Sequence, residues 1–197
     1  MTTIYLIRHG QKEIHAGNPA LTKIGVNQAK ETGVYLSQFP ISKIISSPTK
    51  RTIETAENIA QVLNLPYSSD NDLVERMDWI DPSVSRDEFL QEWVKSTNNR
   101  DYVPKYGDSS RDAGKRVGKL INKMTTDNHI VLVTHGGAIL DYLRNLFGDK
   151  RISALRKHYN AGDDYQMNNC AINKVILDDE PTLELLNFIE HLSNNSE

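Results

Sequence analysis

Two histidines stand in matching contexts far apart in the chain. Arg8-His9-Gly10 follows the run Ile4-Tyr5-Leu6-Ile7, and Thr134-His135-Gly136-Gly137 follows Ile130-Val131-Leu132-Val133. An imidazole can attack as a nucleophile, carry a proton or donate a hydrogen bond to an anion. The arginine beside His9 adds a planar fork of donors that fits phosphate oxygens two at a time. A third polar stretch, Ser46-Ser47-Pro48-Thr49-Lys50-Arg51-Thr52, puts Arg51 in what reads as the first turn of a helix. A cation there opposes the helix dipole, so the position is unfavourable unless an anion sits in front of it. Arg8, Arg51, two histidines and a helix N-terminus together describe a receptor for a phosphoryl dianion.

For these residues to meet, the elements carrying them must share one edge. The two four-residue apolar runs read as interior strands of a parallel sheet, and ligands of such sheets bind outside the carboxyl ends of the strands. Thr22 caps a helix predicted to reach about Gln38, with Val26, Ala29, Gly33 and Leu36 facing inward. A short strand at Lys43–Ser46 leads to a helix with Ser47 as cap, Pro48 in its first position and Ile53, Ala56, Ile59, Ala60 and Leu63 on its core face. A third short strand falls around Tyr67 and Ser68. Residues from about 76 to 108, with a helix at Arg86–Ser96, read as a lid-like insertion over the site. Ser109 or Ser110 caps a helix reaching about Thr125, and Gly137–Phe147 forms another that stops at Gly148. Two strands, Ala171–Leu177 and Leu183–Ile189, close a single domain spanning 1–197.

With 197 residues the chain can bury a core without staples, and its 23 Lys and Arg against 26 Asp and Glu leave a net charge of −3. That charge gives no global attraction to nucleic acid or an anionic membrane. The single cysteine, Cys170, excludes an intrachain disulfide and a Cys-rich zinc site, and reads as a small apolar strand residue. No basic leader and no apolar run of membrane-spanning length is present, which points to the cytoplasm. His9, His15 and His135 could supply nitrogens to a metal, but no His-x-x-x-His pair accompanies them, so no metal is expected.

The residues resemble the histidine phosphatase superfamily, also called the phosphoglycerate mutase-like family, over nearly the whole chain. The matching stretches are Leu6-Ile7-Arg8-His9-Gly10; Leu21-Thr22 with Gly25 and Gln28-Ala29; Ser46-Ser47-Pro48 with Arg51, Thr52 and Thr55-Ala56; Leu73-Val74-Glu75; Thr134-His135-Gly136-Gly137; and the closing His191-Leu192. The resemblance implies an α/β fold, a three-layer sandwich whose mostly parallel central sheet is flanked by helices. It implies catalysis without metal or cofactor through a phosphorylated histidine. On it, His9 is the nucleophile, Arg8, Arg51, His135 and Gly136 form the phosphate pocket, and Glu75 is the proton donor ahead of Asp72 and Asp78. Gln11 and His15 stand where the family commonly carries an acid and a phosphate-touching asparagine, with Asn18 as a substitute from a shifted loop. Lys12, Lys50, Lys105, Arg111 and Lys115 are candidates for a second anionic group. The expected activity is hydrolysis of a small phosphate ester. A phosphoglycerate mutase and a noncatalytic phosphate-binding module are the alternatives. The insertion carries no net positive charge and the loop after Gly10 is brief, so the pocket is expected to be open to water, which favours hydrolysis.

Overall fold

The run Ile4-Tyr5-Leu6-Ile7 is apolar on both sides of a strand, so both faces of the sheet it enters must be covered. In the computed structural model, which describes residues 1–124, 128–158 and 167–193, they are. Ile4 and Leu6 join one apolar cluster, Tyr5 and Ile7 the other. The strand, β1 (Thr2–Arg8), pairs in parallel with β4 (His129–Thr134), which pairs in parallel with β2 (Ile41–Ser46) and so leads to β3 (Tyr67–Ser69). On its other side β1 meets β5 (Ile172–Leu177) antiparallel, and β5 meets β6 (Thr182–Phe188) antiparallel. The order is β3-β2-β4-β1-β5-β6.

Helices α1 (Lys23–Leu36) and α2 (Lys50–Leu63) cover the face of Tyr5 and Ile7 through Leu36, Ala56, Ile59 and Ala60. On the opposite face lie α4 (Ser110–Ile121), α5 (Gly136–Phe147) and α6 (Asp149–His158), through Val117, Leu120, Ile139, Leu143 and Ile152. Between β3 and α4 the chain forms a single 3-10 turn, Asn71–Leu73, and the helix α3 (Arg86–Asn98). This is the expected α/β sandwich of three layers. No helix among the described residues is long and apolar enough to cross a membrane.

Several local expectations shift. Ser47 and Pro48 carry a helix-start signature, but Ser47 donates its N–H to Val133 O (2.9 Å) and so extends the sheet; the helix starts at Lys50 with Thr49 as cap. Arg51 stays in the first turn. The helix at Ser110 ends at Ile121, and Thr125 lies outside the described residues. Helix α6 is absent from the sequence expectation because Gly148, at φ 82°, ends α5 and the polar run after it has little apolar periodicity.

The register sets the site. Arg8 lies opposite Thr134 and Ser46 opposite Val133, and His9 N–H to Thr134 O (3.0 Å) carries the ladder one residue further. The loop that follows docks on α1, whose Gly25 allows it: a Cβ there would lie 2.1 Å from Gln11 O. We therefore expect Gly25→Ala to destabilise the protein by about 1–3 kcal/mol through backbone overpacking. Gly118→Ala, whose Cβ meets only the Tyr142 ring at 3.6 Å, should stabilise α4 by roughly 0.5–1 kcal/mol. Urea unfolding of the two variants checks the contrast; equal effects would refute it.

Candidate active site

The three parallel strands β1, β4 and β2 end side by side, and each hands its next residue to one edge. His9, His135 and Arg51 are 4%, 1% and 3% exposed there. The groups at the floor of the site are thus buried. The insertion folds back beside them, with Gly17 N–H donating to Trp79 O (2.8 Å) and Asp78 reaching Arg51.

The imidazole of His9 is oriented by its neighbour. Its Nδ1 lies 2.8 Å from Gly10 O, and a carbonyl only accepts, so Nδ1 carries the proton and Nε2 keeps its lone pair. Gly10 is itself held by its N–H on Thr55 Oγ1 (3.1 Å), and the His9 carbonyl takes the Cys170 N–H at 3.3 Å. Burial, then Arg8 and Arg51, hold the His9 pKa well below its ordinary 6.5. The two rings meet edge to face, centroids 5.4 Å apart. For His135 the donor-only guanidinium decides the tautomer: Arg51 Nη2 lies 3.0 Å from Nδ1, which must accept, so Nε2 donates to Ser47 Oγ at 2.9 Å. His135 was expected to donate to a bound anion; in this arrangement both nitrogens are engaged by protein. Its pKa is also well below 6.5, through burial first and Arg51 next.

Arg51 has the negative partner its place in the helix demands. Nη2 donates to Asp78 Oδ1 at 2.7 Å and Oδ2 at 2.9 Å, while Nε is buried with no partner among the described residues. Arg8 donates through Nη1 to Met167 O, and Gly136 lies against its side chain. Lys12 is half-buried in the same field, its pKa lowered by burial first and Arg51 second.

Glu75 stands at the N-terminus of α5. Oε2 accepts Gly137 N–H (3.0 Å) and Oε1 accepts Arg76 N–H (2.8 Å). Burial raises its pKa against the pull of Arg76. Glycine is required at 137, since a Cβ would lie 2.5 Å from Glu75 Oε1 and 2.7 Å from Trp93 Cη2. Of the rival carboxylates, Asp78 lies in the site on Arg51, and Asp72 stands 3.9 Å from Lys123.

Asn18 is exposed, and its Oδ1 accepts the Lys50 N–H (2.8 Å), so it caps α2. His15 is exposed and donates to Ala16 O (2.7 Å). Gln11 Oε1 takes the Thr22 hydroxyl at 2.7 Å. Lys105, Arg111 and Lys115 pair with Glu88, Asp101 and Asp112 on the surface. Cys170 is buried with its thiol pushed up to about 12, which keeps it unreactive. Ser47, Met167 and Trp93 are site neighbours that the sequence did not single out. Only Ser47, next to a strand end, carried a signal.

A sequence model of the histidine phosphatase superfamily (branch 1) matches residues 4–188. A Bacillus subtilis (strain 168) protein named "Uncharacterized phosphatase PhoE" is 27% identical over 203 residues, 98% of each chain. A Proteus mirabilis (strain HI4320) protein named "Probable phosphoglycerate mutase GpmB" is 26% identical, covering 93% of this chain and 88% of its own. Among solved structures, a mycobacterial glucosyl-3-phosphoglycerate phosphatase with inorganic phosphate superposes with TM-score 0.75 at 20% identity, covering 97% of this chain and 99% of its own.

The buried imidazoles make stability depend on pH. His9 and His135 are neutral in the fold, with pKa values well below 6.5, and burial pushes His191 down to about 4. Unfolded, all three would titrate near 6.5, so below that pH the unfolded chain binds more protons. Their contribution is whole above pH 6.5 and is lost progressively as pH falls. The unfolding midpoint should drop between pH 7 and 5, and His9→Asn should flatten that slope; an unchanged slope would show that His9 already protonates in the fold.

Proposed function

Because the chain belongs to the histidine phosphatase superfamily (branch 1), we propose that it hydrolyses a small phosphate ester through a phosphohistidine formed on His9. The observation that carries the reading is a matched pair: a neutral imidazole whose Nε2 lone pair is free among the described residues, and beside it Arg51 with a buried Nε donor that has no partner among them. An unpaired buried donor costs about 1–3 kcal/mol, and a phosphoryl oxygen is the acceptor that removes the cost.

In the first step His9 Nε2 attacks phosphorus. The N–P bond forms as the ester P–O bond breaks, and Glu75 gives its proton to the leaving alkoxide. Arg8 and Arg51 disperse charge on the equatorial oxygens, which suffices without a metal or another cofactor. The Gly10 carbonyl, on Nδ1–H, steadies the cationic phosphoimidazole. In the second step Glu75, now a carboxylate, takes a proton from water as the oxygen attacks phosphorus. The N–P bond breaks, returning neutral His9 and free phosphate. A carboxyl with a raised pKa, held between two N–H groups, suits both halves of this cycle.

Phosphoryl return to a bound intermediate is the second reading, favoured by the GpmB-named relatives. It needs spare cations over the pocket. Here Arg76, Arg100, Lys95 and Lys105 of the insertion are paired with Asp141, Asp149, Glu92 and Glu88, which favours hydrolysis, with Arg86, in the field of Lys12, the exception.

Quenching the protein with labelled phosphate ester should leave an acid-labile, base-stable adduct on His9; turnover persisting in His9→Ala would sink the proposal. Arg51→Ala should lower kcat by on the order of a hundredfold. A rise in KM alone would make Arg51 a mere anchor. With 3-phosphoglycerate and a trace of 2,3-bisphosphoglycerate, free phosphate should outpace 2-phosphoglycerate, and the reverse would establish the mutase.

A further inference from the structure

We propose that Arg76 is a positioning residue for the carboxyl of Glu75, fixing it through a buried clamp between helices α3 and α5. The proposal rests on the reading of Glu75 as proton donor.

An arginine in a polar insertion should reach into solvent, yet this side chain is 1% exposed. Its guanidinium lies over the Trp93 ring, 4.1 Å from the centroid. Nη1 donates to both Asp141 oxygens at 3.2 Å, and Nη2 donates to Thr97 Oγ1. Trp93 and Thr97 belong to α3, Asp141 to α5. The backbone is held as firmly: its carbonyl accepts the Asp108 N–H at 2.8 Å, and its own N–H is one of the two donors to Glu75. The other donor, Gly137, precedes Asp141 by four residues on the same face of α5. One turn of one helix therefore holds Glu75 directly and Arg76 through its fork. The Trp93 edge closes the space beside the carboxyl, at the point where a Gly137 Cβ would meet both.

Stability alone does not account for this arrangement. A buried ion pair seldom outdoes an apolar replacement of equal volume. This one also leaves Arg76 Nε buried and, among the described residues, unpartnered, a cost that a methionine would not incur. What the fork supplies is direction: it pins the peptide unit that donates to Glu75 Oε1. A proton donor must stand within hydrogen-bond reach of the leaving oxygen, and small misplacements are expensive. Nη1 and Nη2 are both taken by protein partners, so Arg76 acts through Glu75 and not on the substrate.

The test uses leaving-group dependence, which a merely structural role would not alter. Single-turnover phosphorylation is followed with an alkyl phosphate and with p-nitrophenyl phosphate, whose phenolate leaves without a proton. Glu75→Gln and Arg76→Met should each slow the alkyl ester roughly tenfold or more beyond the aryl ester. The double variant should add little further selectivity, because the two act as one unit. Should Arg76→Met fail to fold, the isosteric Thr97→Val removes one leg of the clamp and should give the same bias at about threefold. Selectivity in Glu75→Gln with equal losses on both esters in the folded clamp variants overturns the proposal alone. No selectivity in Glu75→Gln overturns the donor reading beneath it.

Discussion

Crowding cations and imidazoles into one dry strand edge is the constraint on which this structure turns. Unpaired charge in such a place is costly, and each group here is answered in its own way. The imidazoles are held neutral, since burial and the neighbouring guanidinia both disfavour their protonated forms. Arg8 leans on a backbone carbonyl and Arg51 on Asp78 and His135. Among the described residues, Arg51 Nε is buried with no acceptor. Asp78 answers only part of the charge of Arg8, Arg51 and Lys12, and on the proposed reading an entering anion answers the rest.

That balance depends on register. β4 lies between β1 and β2, and only with Arg8 opposite Thr134 and Ser46 opposite Val133 do His9, His135 and Ser47 arrive together. A slip of one residue would turn His9 toward the opposite face and drive Tyr5 and Ile7 out of their cluster. The apolar alternation that holds the core therefore also aims the chemistry. The two cannot be varied separately.

This coupling explains what was legible in the sequence. The paired His-Gly strand ends, Arg8 and Arg51 stood out because each is expensive where it stands, and cost can be read locally. The α1 cap at Thr22 and the Gly148 stop were legible for the same reason. Partners that come from far along the chain were not: Asp78 on Arg51, Ser47 on His135 and the Met167 carbonyl on Arg8 depend on the finished fold. Ser47-Pro48 misled because its capping signature competes with a ladder bond to Val133 that no local rule reveals. The places of Asp78 and Trp93 beside the site were not legible because insertion length says nothing about where they end up.

Charge counting over the insertion does not reveal where its charges end up. Two of its acids are answered within the segment: Glu92 takes Lys95, the Tyr102 hydroxyl and the Lys105 N–H, and Glu88 takes Lys105 and Tyr106, while Asp78, Asp101 and Asp108 reach out to Arg51, Arg111 and Arg116. Arg76 and Arg100 turn inward to Asp141, Asn145 and Asp149. To the site the segment brings the Asp78 carboxylate and the Trp93 edge, and Arg86 acts on Lys12 there. A carboxylate and an apolar edge beside the site lower the local dielectric and sharpen the interactions they border. Lys12 stands half-buried in the field of Arg51, so on the proposed reading a second acidic group of the ester would meet an ammonium there.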